Sequence, residues 1–169
     1  MDAKTYVEKQ IANMRSLTDD VVKDTTEDQF NWLPPGKLNP ISAVLIHILG
    51  GEDFFIQNIL QSKPRVWETG AWGAQIGIQI PPSPGHDWDE CRCTRLALAP
   101  VLGYAQAVRA ATDAYLAGLT AEELDRQVNF VGRTVPASQM LALLVVHAAG
   151  HAGEIAALKG MQGVQGLPF

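Results

Sequence analysis

Apolar residues recur at intervals of three and four along most of this chain, and four long stretches carry that rhythm. In the first, from Ala3 to about Asp24, Val7, Ile11, Met14, Leu17 and Val21 share one face, and Asp2 is available as N-cap. The segment TTEDQFNWLPPGKLNP then breaks the pattern. Pro34, Pro35 and Gly36 stop any helix there, and Phe30 and Trp32 are expected to plug one end of the helical assembly. A second helix is expected to open with Asn39 as N-cap and Pro40 at the first helical position, running to about Ser62 and ending before Pro64. A third spans about Thr94 to Gly118, with Pro100 either kinking it or marking its true start. Thr120 and Glu123 stand in capping-box positions over a short turn. A fourth runs from about Pro136 to Lys159, with Gly160 as C-cap.

Helices of about 22 residues span roughly 33 Å, so the expected fold is all-α, a four-helix bundle. Strand signals are weak: IGIQI and VNFVG offer small ornaments at most. The least regular segment is the long irregular connection between the second and third helices, residues 63–93. It holds Trp67, Trp72 and Trp88 among several prolines. A connection of that length inside a compact domain is commonly functional, and three tryptophans favour an ordered flap with short helical or extended turns.

Two positions in the fourth stretch do not fit a plain core helix. His147 and His151, in LLVVHAAGHAGEIAALKG, lie four residues apart, so both imidazoles leave the same face as Met140, Leu143, Leu144, Ile155 and Leu158. Imidazoles on a core-facing stripe are costly unless their nitrogens find partners, and a divalent metal is a common partner for neutral imidazole. His47 lies on the apolar stripe of the second helix with Val44, Ile48, Gly51 and Phe55. Two helices packed core to core would bring it opposite the pair. Three protein ligands leave a coordination position open, the mark of a catalytic rather than a structural site. A single core histidine bonded to a backbone carbonyl is the plainer account of His47 alone. The i, i+4 pair shifts the balance, because each member needs its own buried partner. The residues between the pair are Ala148, Ala149 and Gly150, so the glutamate of a zinc-peptidase HExxH motif is missing.

Composition narrows the partners. A chain of 169 residues reads as one domain, 1–169, able to bury a core without disulfide staples. A net charge of −5, with only 18% charged residues and no basic cluster, argues against nucleic acid and against a membrane surface. MDAKTYVEKQIANM has no apolar signal region, and no unbroken apolar run is as long as a membrane span. The expectation is a cytoplasmic protein. Cys91 and Cys93 make no disulfide framework, and Cys-x-Cys without a second pair is a weak metal signal. His86, in the loop SPGHDWDE, reads as an ordinary loop histidine and is left out of the site.

With His47 in VLIHILGGEDFF, and His147, His151, Gly153 and Ile155 in HAAGHAGEI, the chain resembles the DinB-like superfamily, the DinB/YfiT-like metalloenzymes. NWLPPGKLNPISAVLIH and the terminal KGMQGVQGLPF add to a likeness that covers essentially the whole chain. The family position after Gly153 is often glutamine; Glu154 stands there, and it is expected not to touch the ligand set. The resemblance implies an up-down-down-up bundle, often a homodimer, with zinc or nickel held by His47, His147 and His151. Relatives include bacterial thiol-dependent S-transferases and a mycothiol-dependent isomerase.

The leading expectation is therefore a metal-dependent transferase acting with a low-molecular-weight thiol on a small-molecule substrate. Thiolate is the nucleophile, and a divalent cation deprotonates a thiol at neutral pH. Gly51, one turn beyond His47, leaves room beside the ion. Tyr104, Tyr115 and Glu154 are available to move a proton or support a ligand, but the sequence does not place them. The same three histidines could deliver hydroxide in a metal-dependent hydrolase. A non-catalytic metal- or small-molecule-binding protein would need no acid or base beside the pair.

Overall fold

Each of the four long apolar stretches is helical in the computed structural model, which describes residues 1–82 and 88–167. Helix α1 (Ala3–Val22) opens as expected, with the Asp2 carboxylate accepting from the Thr5 N–H at 2.8 Å. A capping box at Thr26 starts α2 (Glu27–Phe30), which delivers Phe30 wholly buried and Trp32 half-buried against the core. Helix α3 (Ile41–Asp53) departs from expectation at its first residue. Pro40, in extended conformation, is itself the boundary, so Asn39 stands one position too far out to cap. Its side-chain oxygen instead accepts from Arg92 Nη1 at 3.4 Å. Beyond Asp53 the same rod continues to Leu60 with the wider π winding.

The connection is built of short helices among the described residues: α4 (Val66–Thr69), α5 (Trp72–Ile76) and α6 (Asp89–Cys93). IGIQI contributes the end of α5 and the buried Ile78 rather than a strand. Helix α7 (Leu98–Ala117) begins later than Thr94. That residue is extended and closes α6, its hydroxyl donating to the Glu90 carbonyl. Pro100 consequently sits in the first turn of α7, where a missing N–H costs nothing. Thr120 caps α8 (Ala121–Asp125), but the Glu123 carboxylate, instead of completing the box, accepts from Tyr115 and Arg126.

Strands β1 (Gln127–Phe130) and β2 (Arg133–Pro136) form an antiparallel hairpin, and α9 (Ala137–Met161) follows at once. Gly160 lies inside α9, because an exposed glycine weakens a helix by only about 1 kcal/mol. The helix stops at Gly163, whose φ of +76° lets its N–H reach the Gly160 carbonyl and that of Val164 reach Lys159.

Helix α9 packs on α1 and α3, and α3 packs in turn on α7. A polar ladder ties α1 to α7 in antiparallel order: Lys4 to the Ala117 carbonyl, Arg15 to Asp113, and Asp19 to Arg109. Buried between them, Glu52 accepts from Arg15 and from the Thr112 hydroxyl, both at 2.8 Å. Two helices, Ile41–Leu60 and Ala137–Met161, are long and apolar enough to cross a membrane, contrary to the expectation from unbroken runs. The isolated polar residues in them interrupt a run without much lowering its average. In this fold most of Ile41–Leu60 is buried inside the protein, as befits a core helix.

Candidate metal centre

The two halves of the histidine cluster arrive on α3 and α9. On α9 the four-residue spacing stacks His147 and His151, with ring centroids 4.7 Å apart. His47 of α3 faces both, again at 4.7 Å centroid to centroid. One ring nitrogen from each of the three lies within 4.8 Å of the others. Every site residue read from the sequence is thus brought to one place.

The nitrogens turned away from the centre reveal how each ring is held. Nδ1 of His47 stands 2.6 Å from the Pro82 carbonyl, which can only accept, so that nitrogen carries the hydrogen. Nδ1 of His151 lies 2.8 Å from Glu154 Oε2, and an ionised carboxylate likewise only accepts. Both rings therefore present a bare Nε2. His147 completes the set by donating from Nε2 to Nε2 of His47 at 2.9 Å. Its own Nδ1 is buried and without a hydrogen-bond partner.

Close packing keeps the rings in place. Trp88 leans on His47 with centroids 4.7 Å apart, and Phe55 meets His147 edge-on at 5.9 Å, backed by Phe130 of the hairpin. Gly51 makes room here: a Cβ on it would fall 2.7 Å from Cε1 of His147, so the imidazole would have to move. Gly50 is similarly closed off by Pro81, whose Cβ would lie 2.7 Å away.

Burial favours the neutral form of two of the imidazoles, His147 and His47. It pushes His147 down to about 4, helped by the neighbouring His47 and His151. Burial also lowers His47, partly offset by the bond to Pro82. Neutral imidazole is the ligand form. The donor set, the bare Nε2 atoms and the unpartnered Nδ1 all fit a divalent metal, and the three histidines could hold one.

Other candidates fall elsewhere. Glu154, expected to leave the ligands alone, bonds to one of them, and its i, i+3 spacing from His151 is the signal that was available in sequence. Tyr104 is buried and donates to Asp53 Oδ2 at 2.9 Å, while Tyr115 donates to Glu123. Burial raises both phenols, Tyr104 beyond any accessible pH, so neither is a ready proton donor. Cys91 is buried, its thiol pushed up to about 12 by burial, and Cys93 is exposed; neither is disulfide-bonded. His86 lies outside the described residues. Pro82 had no sequence signal as a site residue, and Trp88 only that of belonging to the expected flap, because both reach His47 across tens of residues of connection.

A mostly helical protein whose three histidines converge between two core helices belongs to a recognisable class. The chain is a member of the DinB superfamily, whose family model matches residues 10–155. Its fold is similar to that of a conserved protein of Enterococcus faecalis, with a TM-score of 0.79, 17% identity, and coverage of 94% of this chain and 96% of that one. It is also similar to a DinB-like protein of Bacillus subtilis (TM-score 0.64, 21% identity, 97% and 96% covered). A DinB-like protein of Bacillus cereus gives 0.64, 17%, 99% and 97%. At such identities the likeness speaks for the fold alone. No curated protein matches the chain.

Proposed function

We propose that this protein is a metal-dependent enzyme, an S-transferase using a low-molecular-weight thiol, with His47, His147 and His151 holding zinc or nickel. The observation that carries the metal reading is the convergence of three imidazoles, two with Nδ1 already engaged and Nε2 left bare. The thiol follows from the chain's resemblance to thiol-dependent relatives, and from a ligand set that leaves room for one more donor.

When bound, a divalent ion would supply the positive charge that converts a thiol to thiolate at neutral pH. The chain's own residues do the rest. The Pro82 carbonyl and Glu154 carboxylate hold two imidazoles at Nδ1, which leaves Nε2 of each turned to the centre of the cluster. Trp88 packs on His47 and Phe55 on His147, so aromatic rings stand against two of the three imidazoles. The same reading takes the four long helices as an up-down-down-up bundle, supported by the antiparallel ladder between α1 and α7. It also takes the protein as a cytoplasmic homodimer, for which size-exclusion chromatography is the direct check.

The test has two stages. Untagged wild-type protein should carry near-stoichiometric zinc or nickel by elemental analysis, and His151→Ala should not. The loaded protein is then offered a panel of electrophiles with and without small thiols. Turnover that requires the thiol supports the transferase. Turnover without thiol replaces it with a hydrolase, and no turnover in either arm leaves a metal-binding protein.

A further inference from the structure

The three histidines are supported unequally. His47 is held by a neutral backbone carbonyl, His147 has no partner at Nδ1, and His151 alone is held by a charged group. We propose that Glu154 is a positioning residue of the metal centre, its carboxylate fixing His151 so that Nε2 faces His47 and His147. The inference rests on the metal reading above and adds to it a residue outside the ligand set.

The geometry is local and therefore rigid. Glu154 stands three residues after His151, close to one turn along α9, where side chains are neighbours on the helix surface. With Nδ1–H donated to Oε2 at 2.8 Å, rotation of the ring about its Cβ–Cγ bond would break a charge-assisted hydrogen bond. The bond thus selects one of the two ring flips and one tautomer, both of which leave Nε2 as the free nitrogen. His151 needs such support more than His47 does. Its side chain is 28% exposed, whereas His47 is 6% exposed as a residue and is clamped by Trp88. No other carboxylate bonds to a histidine of the cluster among the described residues.

Glu154 is partly exposed, its side chain at 32%, and the hydrogen bond described for that side chain is the one to His151. Removing it should leave the fold intact, so a ligand-directed effect can be read separately. The experiment compares wild type, Glu154→Gln and Glu154→Ala for binding of Zn²⁺ and Ni²⁺ by competition against a chromophoric chelator. Circular dichroism and metal-free melting serve as the fold control. Glu154→Gln keeps an oxygen that can accept from Nδ1–H; Glu154→Ala keeps nothing. The expected result is a roughly 10–100-fold loss of affinity in the alanine variant, with the glutamine variant keeping most of the wild-type affinity. The Co²⁺-loaded alanine variant should also show an altered visible spectrum, which a merely structural residue would not produce. Equal affinities of Glu154→Ala and wild type would overturn the inference while leaving the metal reading standing. Equal losses in both variants would overturn the positioning role. Failure of the wild type to bind either ion would overturn the metal reading and this inference with it.

Discussion

Cε1 of His147 occupies the place where a side chain on Gly51 would begin, 2.7 Å from the position of its Cβ. Helical propensity and site geometry therefore pull in opposite directions at position 51. Alanine there would gain up to about 1 kcal/mol of helix propensity, but it would drive the imidazole away from His47. Gly51→Ala is expected to weaken Zn²⁺ binding at least tenfold while the metal-free helix content stays unchanged. Isothermal titration beside circular dichroism checks both halves, and undiminished affinity would contradict the packing described.

Gly153 is the control for that argument. It lies on the exposed face of α9, and a Cβ there would meet nothing within 4 Å. Gly153→Ala should stabilise the fold by about 0.5–1 kcal/mol, with metal affinity unaltered. Urea denaturation measures the first, and a lowered midpoint would show that the exposed face is more constrained than it looks.

The depressed His147 gives the metal-free protein a defined response to acid. The unfolded chain takes up this proton near the ordinary histidine value of 6.5, whereas the folded protein resists it until about 4. As pH falls through that window the unfolded state binds more protons, so stability contributed by a neutral His147 is present above about 6.5 and lost toward 4. His147→Leu abolishes this component. Urea midpoints of the two metal-free proteins, followed from about pH 7 to 4.5, should therefore diverge in favour of the leucine variant as pH drops. Parallel profiles would mean that the imidazole is not shielded as the structure has it.

Asp53 governs how the connection leaves α3. It is 1% exposed; Oδ1 accepts from the Val66 N–H, and Oδ2 accepts from the Trp67 N–H and the Tyr104 hydroxyl. Asp53→Ala would strand three donors, of which the Trp67 N–H and the Tyr104 hydroxyl are buried. A loss of about 3 kcal/mol or more is expected. Tyr104→Phe removes one partner and should cost only about 1 kcal/mol. Chemical denaturation ranks the two, and near-equal losses would rule out Asp53 as the hub of this network.

Two kinds of information in the chain proved unequal. The i, i+4 spacing of His147 and His151 fixed their common face, because a helix converts sequence distance directly into geometry. His47 could be placed opposite them since two apolar stripes have few other ways to pack. The boundaries were less legible. Asn39 and Gly160 have the right residue types for caps, yet Pro40 and Gly163 hold those turns, since backbone dihedrals rather than residue type decide where the first and last bonds close. The π winding from Phe54 to Leu60 left no trace in periodicity, because FFIQNIL is apolar at all but Gln57 and Asn58 and so has no narrow stripe whose displacement would show. Nor could periodicity reveal Pro82 or Trp88, whose roles depend on how an irregular segment folds back. Glu154 was within reach of the same helical arithmetic that gave the histidine pair.

The bond from His47 to Pro82 spans 35 residues of chain. His147 and His151 need only the winding of α9 to find their relation, a local event on a microsecond scale or faster. The third ring acquires its orientation only after the connection has closed on itself, against the entropy of a long loop. On that ground the cluster is expected to assemble in two instalments, a helical half-site first and its completion last. During refolding, metal captured by two histidines would precede metal held by three.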